Sequence, residues 1–139
     1  MEHTIRIENG CEADLCRLFA LARNTFGEMH GWNDAVVMEP LKRDVVFVAR
    51  CDDTLAGYVA LWETPRTVRV DQLLVAEPRV PELIGDRLLD YAEGYAIWRG
   101  ARSLEIVVEP DNAAARRLYS RHGFVPVAEE LFARMLPTL

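Results

Sequence analysis

Apolar and polar positions change period several times along the 139 residues, and each change marks an element. Thr4 to Ile7 alternates and predicts a first strand. From about Cys11 to Phe26, Leu15, Leu18, Phe19, Ala22 and Phe26 fall on one helical face. Asn9 with Glu12 three residues later resembles a capping box at its start, with Asn in place of Ser or Thr. Gly27 and Gly31 mark a loop, and Trp32 to Met38 predicts a short helix ended by Pro40. Three strand-like runs follow: Val45–Arg50, Leu55–Glu63 and Thr67–Val75. Asp52-Asp53 is a turn signal and Pro65 a break, so the short connections predict an antiparallel meander. Pro81 suits the first turn of a helix, where its missing N–H is not needed. That helix should run to about Arg99, with Ile84, Leu88, Tyr91, Tyr95 and Trp98 as its core stripe and Gly100 as its end. Gly94 inside it costs about 1 kcal/mol relative to Ala. Ser103–Val108 predicts a strand, Pro110-Asp111-Asn112 a turn with a ready N-cap, and Ala113–His122 a short helix. Gly123 fits the left-handed position after that helix, with Phe124 supplying the apolar contact that often follows. Val125–Ala128 and Leu131–Met135 predict two last strands.

This order predicts an α/β (α+β) fold: a mixed, mostly antiparallel sheet of six to seven strands with helices on both faces. The third strand of the meander, the Pro81 helix and the Ser103 strand form one βαβ unit, expected to cross over right-handed. No internal repeat, low-complexity stretch or linker interrupts the pattern, so residues 1–139 read as one domain.

Half of the residues are apolar and 27% are charged, which excludes a disordered or fibrous chain. The net charge of −6 argues against a general nucleic-acid binder, whose affinity rests on phosphate neutralisation. The longest apolar runs, such as Val45–Ala49, fall far short of the roughly 20 residues a spanning helix needs, so no membrane association is expected. The start MEHTIRIENG lacks a signal-peptide stretch. Cys11, Cys16 and Cys51 form no C-x-x-C pair and suit a reducing compartment, so a cytoplasmic protein is expected. The three histidines are scattered, and no metal-ligand spacing appears.

The stretch Asn112-Ala113-Ala114-Ala115-Arg116-Arg117-Leu118-Tyr119-Ser120-Arg121-His122-Gly123-Phe124 resembles the N-x-x-A-x-x-L-Y-x-x-x-G-F signature of the GNAT superfamily of N-acetyltransferases. Leu73–Leu89, LLVAEPRVPELIGDRLL, sits where that family places the V-x-P-x-x-R-G-x-G-x-G-x-x-L-L segment that binds acetyl-CoA. Gly57, in the second strand of the hairpin, is similar too. Aligned on Val75, the family's Arg falls on Val80, its first Gly on Pro81 and its second on Leu83. Only the last Gly is kept, as Gly85, and Arg79 can stand in for the Arg after a one-residue shift. The glycines serve close approach: backbone N–H groups at a helix start cradle the pyrophosphate. Side chains obstruct that approach, Pro81 removes a donor, and Glu82 adds a negative charge there.

The resemblance implies acetyl-CoA as co-substrate and a small-molecule or peptide amine as partner. It assigns the coenzyme to Leu73, Leu74 and Val75, to Arg79, Val80, Ile84, Gly85, Asp86 and Arg87, and to Asn112. Leu73–Val75 would offer free backbone groups to the pantetheine arm and the thioester carbonyl. Tyr119 matches the general acid that protonates the departing thiolate. Some members carry a Glu base five residues before Asn112, where this chain has Val107. Glu109 shares that side of the strand and is the candidate base.

Each assignment has a plainer alternative. Tyr119 also suits a core aromatic, Asn112 an N-cap, Glu109 an ordinary strand-end carboxylate, and Gly85 close helix packing. Arg116, Arg117 and Arg121 read as a solvated helix face or as attraction for phosphates. Glu28, His30, Trp32, Asp34 and Glu39 read as an exposed loop or as the lining of an acceptor groove. Two functions remain open: an acetyl-CoA-dependent N-acetyltransferase, or a GNAT-fold binding or regulatory module that has lost acyl transfer with its phosphate loop. A homodimer is plausible, with the last two strands and Trp98 as available surfaces.

Overall fold

The computed structural model describes residues 4–24, 33–76 and 81–138. Its elements are β1 (Ile5–Asn9), a 3-10 turn (Glu12–Asp14), α1 (Leu15–Ala22), α2 (Asp34–Arg43), β2 (Val45–Cys51), β3 (Thr54–Glu63), β4 (Thr67–Val75), α3 (Pro81–Trp98), β5 (Ser103–Val107), α4 (Ala113–Arg121), β6 (Val125–Ala128) and β7 (Leu131–Met135). The seven strands form one sheet in the order β1-β2-β3-β4-β5-β7-β6. Every neighbouring pair is antiparallel except β4 and β5, the ends of the βαβ unit.

Local chemistry explains most boundaries. Asp52 and Asp53 take positive φ, 51° and 67°, giving the twisted two-residue hairpin between β2 and β3. Gly123 sits at φ +85°, and the Phe124 N–H returns to the Tyr119 carbonyl at 3.1 Å, which closes α4 and folds Phe124 into the core.

Two helix boundaries depart from the pattern. Asn9 is held in β1 opposite Phe47, so it cannot cap. The box forms two residues later, where Asp14 Oδ2 accepts from the Cys11 N–H at 3.1 Å and lies 3.3 Å from its thiol. The expected end of that helix, at Phe26, lies outside the described residues. Pro40 stands inside α2 rather than ending it. Buried Leu41 anchors the last turn, and the Asp44 N–H donates to the Pro40 carbonyl at 2.8 Å.

Apolar residues form a core on each face. On one face α3 lays Ile84, Leu88, Leu89, Ala92 and Ala96 over the sheet, with Tyr119 of α4 beside them. On the other, Leu18 and Ala22 of α1 and Leu41 of α2 cover Val48, Tyr58, Ala60 and Leu74. The expected α3 stripe is corrected at its C-terminal half. Ala92 and Ala96 face the sheet, whereas Tyr91 is 42% and Trp98 68% exposed. Small residues let α3 sit close to the strands, and the aromatics swing to its edge, where Tyr91 and Tyr95 meet Phe47 edge-on at 4.7 and 5.2 Å.

Candidate active site

Between β4 and β5 the sheet comes apart. The two strands pair from Thr67↔Ser103 to Val70↔Ile106 and no further, although β4 continues to Val75. A β-bulge explains the divergence. Against β3, Leu61 pairs Val70 and Ala60 pairs Gln72, so Asp71 is the extra residue. Below the bulge Val68 and Val70 belong to the α3-side core; above it Leu74 belongs to the α1–α2 side. The bulge thus turns β4 over just where β5 leaves it. Among the described residues the β4–β5 ladder ends at Val70↔Ile106, so Leu73–Val75 lie beyond it.

A cavity of about 150 Å³ fills this seam. Its walls include Asp71, Leu73, Glu109, Asn112 and Tyr119. A larger groove, about 840 Å³, runs beside Phe47, Tyr91, Tyr95 and Trp98 but shares no lining residue with the seam.

The strand geometry here requires Gly57. A Cβ at that position would stand 2.5 Å from the Leu74 carbonyl oxygen and 3.3 Å from the Ile84 side chain. Gly57 pairs with Val75, so the missing side chain sets the approach of β3 to the free end of β4. Gly85 lets α3 meet α4, because a Cβ there would lie 3.2 Å from Leu118 Cδ2.

Tyr119 is 7% exposed, packed on Phe124 with ring centroids 5.9 Å apart. Burial pushes its hydroxyl above the ordinary phenol range, so the phenol stays protonated at neutral pH. That is the state an acid needs. Asn112 caps α4, its Oδ1 accepting from the Ala115 N–H at 3.1 Å, while the residue also lines the cavity.

The remaining expected residues divide. Leu73 faces the seam, whereas the Leu74 and Ile84 side chains are enclosed in the two cores, leaving them only backbone groups to offer a ligand. Asp86 is bound within the protein: His122 Nε2 lies 2.6 Å and Arg121 Nη2 3.1 Å from its Oδ1. Burial pushes the Asp86 carboxyl up, but hydrogen bonds from His122 and Arg121 outweigh this and hold it below the usual carboxylate range. Arg87 Nη2 donates to the Ile5 carbonyl at 3.3 Å, on the edge strand β1. Arg116 donates to the Glu129 carbonyl at 2.9 Å and lies over the Phe132 ring. The three-arginine cluster is therefore partly spent on internal contacts. Arg79, Val80, Glu28, His30 and Trp32 lie outside the described residues. Asp34 is an exposed ion-pair partner of Arg23 at 3.4 Å.

One cluster has no counterpart in the sequence pattern. At the cavity wall Asp71 Oδ1 accepts from Arg69 Nε at 2.6 Å and Oδ2 from Arg43 Nη2 at 2.8 Å. Arg43 Nε also holds Asp44 Oδ1 at 2.9 Å, and its guanidinium stacks 4.3 Å above the Trp62 ring. The Asp44 side chain is fully enclosed. Burial, together with a hydrogen bond to the Asp71 carboxylate, pushes Asp44 up to about 7 against the pull of Arg43. Burial also acts upward on Asp71, yet hydrogen bonds from Asp44 and Arg69 hold it below the ordinary range. The pair thus holds a proton to higher pH than two isolated carboxyls would.

The site therefore lies in a mixed sheet split between two central parallel strands, with a protonated phenol at the split. The chain belongs to the acetyltransferase (GNAT) family, whose model matches residues 15–124. No curated protein matches the sequence significantly. Among solved structures the chain is similar to the ribosomal-protein-S18-alanine N-acetyltransferase of Escherichia coli, at 17% identity and a TM-score of 0.80, covering 98% of this chain and 96% of that one. It is similar to an aminoglycoside 6′-acetyltransferase type Ii, at 19% identity and a TM-score of 0.81, covering 96% and 99%. It also resembles the PaiA N-acetyltransferase of Thermoplasma acidophilum, solved in complex with coenzyme A, at 18% identity and a TM-score of 0.77, covering 95% and 99%. At such identities the likeness establishes the fold. Among the described residues no helix is long and apolar enough to cross a membrane.

Proposed function

We propose that the protein transfers an acetyl group from acetyl-CoA to the amine of a small molecule or peptide, by direct attack on the thioester, in the cytoplasm. The observation that carries this reading is the seam: β4 and β5 part after Val70↔Ile106, and Tyr119 lines the resulting cavity. An acyl-thioester arm laid along the end of β4 would meet backbone groups at Leu73–Val75, beyond the last pair of the β4–β5 ladder. The amine nitrogen gives up one proton and forms its bond to the carbonyl carbon, the carbon–sulfur bond breaks, and the electron pair leaves on sulfur. The Tyr119 hydroxyl gives its proton to that sulfur and recovers one from solvent. No protein nucleophile is needed, consistent with Cys51 being a buried core residue.

Calorimetry with acetyl-CoA, followed by thioester consumption with a panel of amines, tests the reading. Millimolar acetyl-CoA without a binding isotherm removes it. The internal bonds of Asp86 and Arg87 support a second reading, a GNAT-fold binding or regulatory module, since both side chains are occupied within the protein. A native state that binds coenzyme must melt higher in its presence. A melting temperature indifferent to every acyl-CoA favours the module.

A further inference from the structure

The acyl-transfer reading provides an acid but leaves open what takes the proton from the attacking amine. Among the described residues two carboxylates line the seam, Glu109 and Asp71. They differ in surroundings. Glu109 is exposed, two residues beyond the end of β5. Asp71 sits on the bulge itself, its side chain only 10% exposed, with the enclosed Asp44 carboxyl behind it. Among the described residues no hydrogen-bond donor reaches Asp44 Oδ2, although that oxygen is buried. A buried carboxylate oxygen without a donor is costly unless a proton can occupy the position.

Resting on the acyl-transfer reading, we propose that Asp44 and Asp71 work as one unit that receives the proton of the attacking amine. Asp71 is the carboxylate at the cavity wall, and Asp44 is a positioning residue that stores the proton against it. Each Asp71 oxygen accepts one arginine hydrogen bond and keeps a second acceptor site, so the arginines do not block it. When both carboxylates are ionised, their proximity raises their joint affinity for one proton. An isolated carboxylate has little such affinity at neutral pH, whereas this pair is matched to it. In the step, the amine N–H bond breaks and an O–H bond forms within the pair, filling the place beside Asp44 Oδ2. The nitrogen lone pair so released makes the new N–C bond. After the amide departs, the proton returns to solvent through the cavity.

Among the described residues, charged groups from three segments surround the pair. Arg43 approaches from the end of α2 and Arg69 from β4. On β5, Glu105 stands in register with Arg69, and Glu109 and Tyr119 close the far wall of the cavity. The two arginines balance two carboxylates, so the pair can lose its proton without leaving net charge buried.

The test compares wild type with Asp44→Asn, Asp71→Asn and Glu109→Gln. Acetyl transfer is followed between pH 5.5 and 9 with spermidine, a lysine peptide, an alanine-terminated peptide and an aminoglycoside as acceptors. The expected wild-type kcat/KM climbs with pH and bends near 7. In Asp44→Asn that bend disappears from the range, and in Asp71→Asn kcat falls at least 100-fold. Acetyl-CoA affinity by calorimetry stays within threefold in both. A bend that survives Asp44→Asn, or that disappears in Glu109→Gln instead, overturns the proposal and leaves acyl transfer standing. Carboxyl ¹³C titration of the substrate-free protein gives a readout without turnover: one aspartate step near neutral pH, absent in Asp44→Asn. Full ionisation of both aspartates by pH 5 equally overturns the proposal. No binding of acetyl-CoA at all overturns both the proposal and the reading beneath it.

Discussion

On the α3 side of the split sheet, the site is shaped by backbone and apolar packing. Gly57 admits the Leu74 carbonyl, Val70 and Ile106 end the ladder, and Tyr119 is the polar side chain that α4 brings to the cavity. On the α1–α2 side the same strand presents Arg69 and Asp71 to Arg43 and Asp44. The first wall holds its shape without charge. The second consists of four ionisable side chains joined by hydrogen bonds, drawn from α2, β4 and the connector after α2. A ligand that binds through main-chain groups suits the first wall, and a step that moves a proton suits the second.

The sharpest way to break this contrast is at Gly57. Gly57→Val places a side chain where even a Cβ would stand 2.5 Å from a carbonyl oxygen, and backbone cannot rotate away as a side chain can. The expected cost is about 3 kcal/mol of stability, read as a lower urea midpoint at unchanged slope. A loss below about 1 kcal/mol would show that the strands yield, and that this wall is not set by backbone approach.

Tyr119→Phe keeps the ring on Phe124 and removes only the hydroxyl. Turnover should fall about 100-fold, the usual worth of one positioned acid. Stability should change by less than about 1 kcal/mol, since the ring does the packing. Equal turnover in the two proteins would reduce Tyr119 to a core aromatic.

On the charged wall, Asp44→Asn should change how stability depends on pH. The unfolded Asp44 carboxyl loses its proton near 4, whereas the folded one keeps it to about 7. Between those values the native state binds more protons at this site than the unfolded state, so the Asp44 contribution to wild-type stability declines as pH rises from 4 to 7. Asparagine cannot ionise, and its N–H can donate to Asp71 in place of the proton. The variant should lose that decline and gain most in melting temperature at pH 8. Parallel curves for the two proteins would show that Asp44 ionises normally.

The two walls also differed in how far the sequence disclosed them. Asn112 to Phe124 is contiguous, so its cap, Tyr119, Gly123 and Phe124 were all visible in one stretch. Gly57 could be noticed, but not its contact with Leu74. The bulge was invisible for a physical reason. Val68, Val70, Gln72 and Leu74 are buried at every second position, as in an unbroken strand. Because both sheet faces are covered, the strand can turn over at Asp71 without disturbing that alternation. Asp44 lies in the connector between α2 and β2, and nothing local in the sequence joins it to a residue 27 positions on. The α3 stripe failed at Tyr91 and Trp98 because apolar periodicity does not reveal that alanines can bring a helix close enough to exclude larger neighbours.

Gly85 tests the boundary of the uncharged wall with the smallest expected effect. Its absent side chain faces Leu118 Cδ2 at 3.2 Å and Val75 Cγ2 at 3.8 Å, both ends of movable side chains. Alanine would press on Leu118 by a few tenths of an ångström. It would also favour the helix by up to about 1 kcal/mol. The two effects oppose, so Gly85→Ala should leave stability within about 0.5 kcal/mol of wild type, the margin of an ordinary neutral substitution. Coenzyme affinity then separates the two uses of this glycine. If it serves only the packing of α3 on α4, the acetyl-CoA isotherm of the variant superimposes on that of wild type. If phosphate also needs the space, affinity falls tenfold or more while the melting temperature holds, and the backbone-built wall extends from the seam to the start of α3.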